Sequence, residues 1–207
     1  MQLSASSLLP STLAIVALAF GTFGDNASAQ EWPTHLPRKP VADAVRVSEQ
    51  SIFIDGDLNE DAWQSIVPET DLHEFKPVPF ANPRQRTEVR FAFDDRALYI
   101  GARMWDTAPD SILHQLVQRD GGGNTDVFGI WFNCFDDGVN GVRFSVTPDG
   151  VQSDELLTTD GSDGSWNAVW QSECRIDENG WTAESALPWS VFRFADKGDA
   201  EQQWGMN

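Results

Sequence analysis

The sequence predicts an all-β protein, an antiparallel β-sandwich of jelly-roll type with one or two short helices. Three observations point there. Apolar and polar residues alternate with a period of two through most of the chain after residue 87. Turn-forming clusters, among them Asp94-Asp95, Pro148-Asp149-Gly150 and Asp177-Glu178-Asn179-Gly180, separate these runs at short intervals. There is also no long apolar stretch of helical period to supply the crossovers that a parallel sheet needs.

Residues 1–29 read as a secretory signal peptide. Leu13–Phe20 is an unbroken apolar run, too short to span a bilayer, and Ala27-Ser28-Ala29 before Gln30 has the small-x-small form of a cleavage site. The run lacks the usual preceding Lys or Arg. Residues 30–50, with Pro33, Pro37 and Pro40, form an extended lead-in, and residues 51–207 form the sandwich.

Within the sandwich, Ser51–Ile54 reads as a short strand and Asn59–Ile66 as one or two helical turns around Trp63. Val89, Phe91 and Phe93 alternate with polar neighbours. Leu98, Ile100, Ala102 and Met104 do the same after Asp94-Asp95, which predicts a hairpin. Phe128, Ile130 and Phe132 share one face of the next strand, with Trp131 on the other. Val142, Phe144 and Val146 alternate with Arg143, Ser145 and Thr147. Ala168–Ile176 and Trp181–Leu187 form a second hairpin. Asp110–Arg119 and Pro188–Phe194 have helical character.

Acidic residues number 32 and basic ones 14, a net charge of −18 that repels phosphate backbones and anionic membrane surfaces. Nucleic acid is excluded as a partner, and no later segment has the length to insert in a membrane as a helix. Cys134 and Cys174 suit an oxidising compartment, where they either pair or remain two buried thiols.

No catalytic motif emerges. His35, His73 and His114 lack metal-ligand spacing, Gly161–Ser165 does not fit a nucleophile elbow, and Gly121-Gly122-Gly123 lacks the lysine of a phosphate loop. The expectation is a non-enzyme without a cofactor. Asp55 and Asp57 open like a calcium loop, but Glu60 replaces its turn glycine and Ile66 its final glutamate. Asp94 and Asp95 sit in a turn. These four carboxylates are the weak candidates for a structural calcium.

Tryptophan is the strongest compositional signal, with nine Trp against one Tyr. Its flat π face suits stacking on the C–H face of a sugar ring. Strand phase assigns Trp63, Trp181 and Trp204 to packing. It leaves Trp105, Trp131, Trp166 and Trp170 open, with Trp166 best placed for exposure after the Gly161–Ser165 loop.

The strings IDGDLNEDAW at 54–63 and TEVRFAFDDRALYIGARMWD at 87–106 resemble the family 9 carbohydrate-binding-module-like domain, in the version that precedes a bacterial outer-membrane-type barrel domain of unknown function. RFSVTPDGVQSDE at 143–155, SWNAVWQSECRI at 165–176, NGWTAESALPWSVFRF at 179–194 and the closing WGMN agree in order. The resemblance implies a β-sandwich that binds an oligo- or polysaccharide between tryptophans, helped by charged side chains. Trp105, Trp166 and Trp170 are the candidate stacking residues, and Asp126 and Arg103 the candidate polar ones. Two positions depart from the pattern: Gly123 stands where a stacking tryptophan is expected, and Gly129 where an acidic sugar ligand is expected.

In the barrel-linked relatives the chain runs on after WGMN into membrane strands. The resemblance therefore implies a free-standing module or a shortened barrel protein, exported to the periplasm or beyond it and associated with the outer membrane in the longer forms. Three functions follow as expectations. The first is a glycan-binding module, the second an interaction or plug-like domain of an outer-membrane barrel, and the third an accessory part of a glycoside hydrolase.

Overall fold

The computed structural model describes residues 41–135, 137–194 and 202–207 in full, and the backbone of residues 13–17. The cleavage site read at Ala27-Ser28-Ala29, the prolines of the lead-in and His35 lie outside the described residues. In chain order the strands are β1 (Leu13–Ala17), β2 (Val41–Arg46), β3 (Thr87–Phe93), β4 (Ala97–Trp105), β5 (Phe128–Asn133), β6 (Gly141–Val146), β7 (Gln152–Thr158), β8 (Gly161–Asp163), β9 (Gln171–Asp177), β10 (Gly180–Pro188) and β11 (Gln202–Met206). One helical turn, α1 (Asp61–Gln64), precedes the first long hairpin.

Two five-stranded sheets make the sandwich. The front sheet has the order β8-β7-β6-β5-β11 and the back sheet β2-β3-β4-β10-β9. The β1 backbone lies between β11 and β2, parallel to the former and antiparallel to the latter. The apolar run read as an export label thus contributes a strand. Without β1, each five-stranded sheet would still be continuous in its own hydrogen bonds.

Alternation decides which side chains meet between the sheets. Phe91, Phe93, Leu98, Ile100 and Ala102 of the back sheet face Ile130, Phe132, Val142, Phe144 and Val146 of the front sheet in one core. Trp204 and Phe192 seal it, their rings 5.0 Å apart and tilted. Trp63, Trp181 and Trp204 are all buried, as expected, Trp63 from the helical turn α1 and the other two from strands. The β9–β10 hairpin turns at Gly180, whose φ of +136° and 2.0 Å clearance between a built Cβ and the Met104 carbonyl exclude any side chain.

The back sheet has a second apolar layer on its outside. Ile52, Trp63 and Ile66 close over Ala92, with Leu58 and Tyr99 at the margin. Gly101 permits that approach, since a Cβ there would lie 3.0 Å from Leu58 and 3.3 Å from the Trp63 ring. Ser51–Ile54 forms no strand, contrary to its sequence pattern. The backbone N–H groups that follow it donate to a side chain: Asp55 and Gly56 bond the Glu184 carboxylate at 2.9 and 3.0 Å.

The helical character of Asp110–Arg119 survives only as a single 3-10 turn, Pro109–Ser111. The stretch beyond it is committed to tertiary partners. His114 contacts Asp149, Arg119 bonds Asp154 and Gln152, and the Asn124 N–H reaches the Gln115 side chain. Pro188–Phe194 holds one 3-10 turn, Trp189–Val191. β7, which sequence alternation does not mark, carries the buried Asp154 inward and Glu155 outward.

Candidate functional site

On the outside of the back sheet, Arg103 and Trp105 are two residues apart on β4 and share a face. The Arg103 guanidinium lies 4.6 Å from the Trp105 ring centroid. Two of its nitrogens reach the two oxygens of Asp177 at 2.5 and 2.7 Å, a bidentate pair. That pairing holds the Asp177 carboxyl below the usual carboxylate range. The Trp105 indole N–H donates to Glu88 at 3.1 Å, and Arg86 and Arg90 close on the same carboxylate. Trp105 keeps 37% of its surface exposed. Two sequence candidates are therefore brought together here, but both terminal nitrogens of the polar one are already taken by Asp177, leaving only its buried Nε without a partner.

The other candidates separate. Trp170 is 7% exposed, its ring packs edge-on against Phe144, and its N–H donates to Asp154 at 3.1 Å. This corrects the expectation that Trp170 offers a stacking face: the buried carboxylate of Asp154 draws the indole inward. Trp166 is half-buried and leans on the same Phe144 ring at 5.9 Å, so it is less open than its glycine-flanked loop suggests. Asp126 ties down its own loop, its carboxylate accepting from the Leu113 N–H at 3.3 Å while its N–H donates to the Leu113 carbonyl at 2.7 Å.

The weak metal candidates are also engaged elsewhere. Asp94 is buried and accepts from the Arg96 and Ala97 N–H groups and the Tyr99 hydroxyl. Asp95 pairs with Arg46, Asp57 with Arg175, and Asp55 accepts from the Asp57 N–H. Among the described residues no three His, Cys, Asp or Glu side chains are grouped to hold a metal. Cys134 and Cys174 are free thiols, one just after β5 of the front sheet and the other on β9 of the back sheet. The disulfide alternative is thereby corrected. Burial raises both thiol pKa values, that of Cys174 to about 12 with help from Glu173.

The outer face of the front sheet holds a group that sequence reasoning did not assemble. Trp131 on β5 and Arg143 on β6 are direct cross-strand partners, and the guanidinium lies 4.5 Å from the ring centroid. Glu155 of β7 is the next residue across the sheet, facing Arg143. Trp131 also borders a shallow surface recess with room of about 20 Å³, completed by the hairpin residues Gly138–Gly141, Leu157 and Gly205. It is a surface notch beside the indole, far smaller than an enclosing ligand pocket. Its signal was present in the sequence, since Trp131 and Arg143 both fall on the outward phase of their strands. The missing information was the register that pairs them.

Architecture and site together define a β-sandwich domain with a tryptophan-walled recess on one outer face. No family model matches the chain, and no curated protein does. Among solved structures it is similar to a family 9 carbohydrate-binding module from Caldicellulosiruptor kristjanssonii in complex with glucose. The TM-score is 0.49 and the identity 16%, over 70% of this chain and 68% of that one. The same organism's module in complex with cellotriose gives 0.48 and 17%, over 70% and 67%.

Proposed function

We propose that this chain is an exported, non-catalytic carbohydrate-binding module that stacks a sugar ring on tryptophan at the outer face of the front sheet. The observation that carries the reading is Trp131 beside its recess, with Arg143 on the adjacent strand and Glu155 on the strand beyond it. An indole wall takes the apolar face of a pyranose, and a guanidinium and a carboxylate bond its hydroxyls and set its orientation. Trp105, partly exposed on the opposite face, is the subsidiary stacking surface. The sequence resemblance and the signal-peptide pattern of residues 1–29 support the sugar class and the export.

Intrinsic tryptophan fluorescence, titrated with gluco-, xylo- and manno-oligosaccharides, tests this reading. A saturable shift is expected for at least one series, weakened about tenfold or more in Trp131→Ala, which corresponds to about 1.4 kcal/mol. A larger loss in Trp105→Ala moves the platform to the back sheet. A flat response from folded protein to every saccharide, neutral or acidic, overturns the reading.

A second reading rests on Gly123 and Gly129, which replace the tryptophan and the acidic residue that the resemblance leads one to expect. It makes the domain an interaction or plug-like part of an outer-membrane barrel protein, without sugar affinity. A flat saccharide response together with co-purification of this domain with a barrel is its expected signature.

A further inference from the structure

Among the described residues, Arg143 stands apart from the other arginines that are largely withdrawn from water. Arg90, with 16% of its side chain exposed, bonds the Ile66 carbonyl and Glu88. Arg103, with 10% exposed, has its bidentate carboxylate. Arg143, with 30% exposed, has one ionic contact, to Glu155 at 3.5 Å, longer than a charge-assisted hydrogen bond. Its Nε is buried with no hydrogen-bond partner, as is that of Arg103. The terminal nitrogens of Arg103, however, are both bonded to Asp177, whereas those of Arg143 have only the long Glu155 contact. A guanidinium laid on an indole and left with unmet donors is costly unless something supplies acceptors.

The space for that acceptor adjoins Gly129. A Cβ built there would lie 3.8 Å from the Arg143 Nε and 3.4 Å from the Ser145 Cβ, both ordinary contacts. A Cβ is therefore tolerated there, and an acidic side chain is what the sequence resemblance leads one to expect. The chain leaves the position empty. Gly129 and Trp131 are two residues apart on one strand face, about 7 Å, which is the scale of a single sugar unit.

We infer that Arg143, beside the gap at Gly129, receives a carboxylate from the ligand, so that the favoured sugar is a uronic acid. The inference rests on the sugar-binding reading above and gives it a substrate class. The sugar ring lies against Trp131 and the recess, and its carboxylate takes the place an acidic side chain at residue 129 would occupy, facing the guanidinium fork. The net charge of −18 acts against an anionic ligand at long range. At 0.15 M salt the screening length is about 8 Å, so the contact pair outweighs distant carboxylates.

The test is calorimetric titration of the purified protein at pH 7 and 0.15 M NaCl with trimers of galacturonate and of mannuronate, each against its neutral methyl ester. The expected result is binding of at least one acidic trimer about tenfold or more tighter than its ester. Arg143→Gln is expected to remove that preference. Gly129→Glu is expected to remove it as well, by supplying the carboxylate from the protein, with circular dichroism reporting that each variant is folded. Equal binding of acid and ester, or a preference for the ester, overturns the uronate inference and leaves the sugar-binding reading standing. Binding of no saccharide, acidic or neutral, overturns both.

Discussion

The two outer faces of the sandwich carry the same pair of residue types and treat them differently. On the back sheet Arg103 lies 4.6 Å from Trp105, with its charge met by both oxygens of Asp177 and the indole N–H met by Glu88. On the front sheet Arg143 lies 4.5 Å from Trp131, and its ionic contact is a single one at 3.5 Å. Much of the back face is further closed by Trp63 and its apolar neighbours, whereas the front face opens into the recess. An arginine stacked on a tryptophan is therefore not in itself a site. It becomes one where donors remain unmet next to open volume.

The largest break in this comparison is expected from removing a tryptophan on each face. Trp63→Ala deletes a fully buried ring and orphans Glu184, whose carboxylate accepts the indole N–H at 2.8 Å. A loss of about 3–5 kcal/mol in urea unfolding is expected. Trp131→Ala is expected to cost about 1 kcal/mol or less, because its ring is half-buried on an open face. Similar losses for the two variants would mean that the front face is as structural as the back.

Next in size is the bidentate pair. Asp177→Asn leaves the Arg103 guanidinium buried without its counter-charge. A cost of about 2 kcal/mol is expected, below the range for a fully buried pair because Asp177 is 41% exposed. Chemical denaturation of this variant at pH 7 checks it.

A pH measurement sharpens the back face further. Burial raises the Glu184 pKa from 4.5 to about 7, outweighing the N–H groups of Trp63, Asp55 and Gly56 that favour the carboxylate. A carboxyl whose folded pKa lies above its unfolded one stabilises fully below the unfolded value and loses that contribution as pH rises through the folded value. Wild type should thus lose stability relative to Glu184→Gln between about pH 4.5 and 7, by about 1.4 kcal/mol per unit of pKa difference. Parallel stability profiles for the two proteins over that interval would contradict this account.

The smallest effect is expected at Glu155→Gln. Its contact with Arg143 is long and both side chains are 30% exposed, so a change within about 0.5 kcal/mol is expected in urea unfolding. A cost matching that of Asp177→Asn would show that Glu155 already satisfies Arg143 and would erase the contrast between the faces.

Much of the sandwich was legible in residue order. The hairpins at 87–105 and 171–188 follow from alternation and their turn residues, and Trp63, Trp181 and Trp204 are buried as expected. β7 was missed because its sequence, Gln152–Thr158, lacks apolar alternation: Asp154 faces inward as the acceptor for Arg119, Ala168 and Trp170. The same carboxylate turned Trp170 from a candidate platform into a core residue. The Trp105–Arg103 pairing was legible as an i, i+2 relation on one strand. The loss of its capacity to Asp177, 74 residues on, was not.

What the sequence by itself determined is facing: the period of two assigns most strand residues to the core or the outside, because successive Cβ atoms point to opposite sides of a sheet. It also determined where the chain turns and placed Trp63, Trp181 and Trp204 among the buried residues, though not Trp170. Only the tertiary structure decided which outer face is covered and which is open. Covering the back face depends on Glu184 gathering Asp55, Gly56 and Trp63 from more than a hundred residues away. Opening the front face depends on a register that sets Trp131 against Arg143. Both are long-range pairings, and local alternation carries no information about which strands become neighbours.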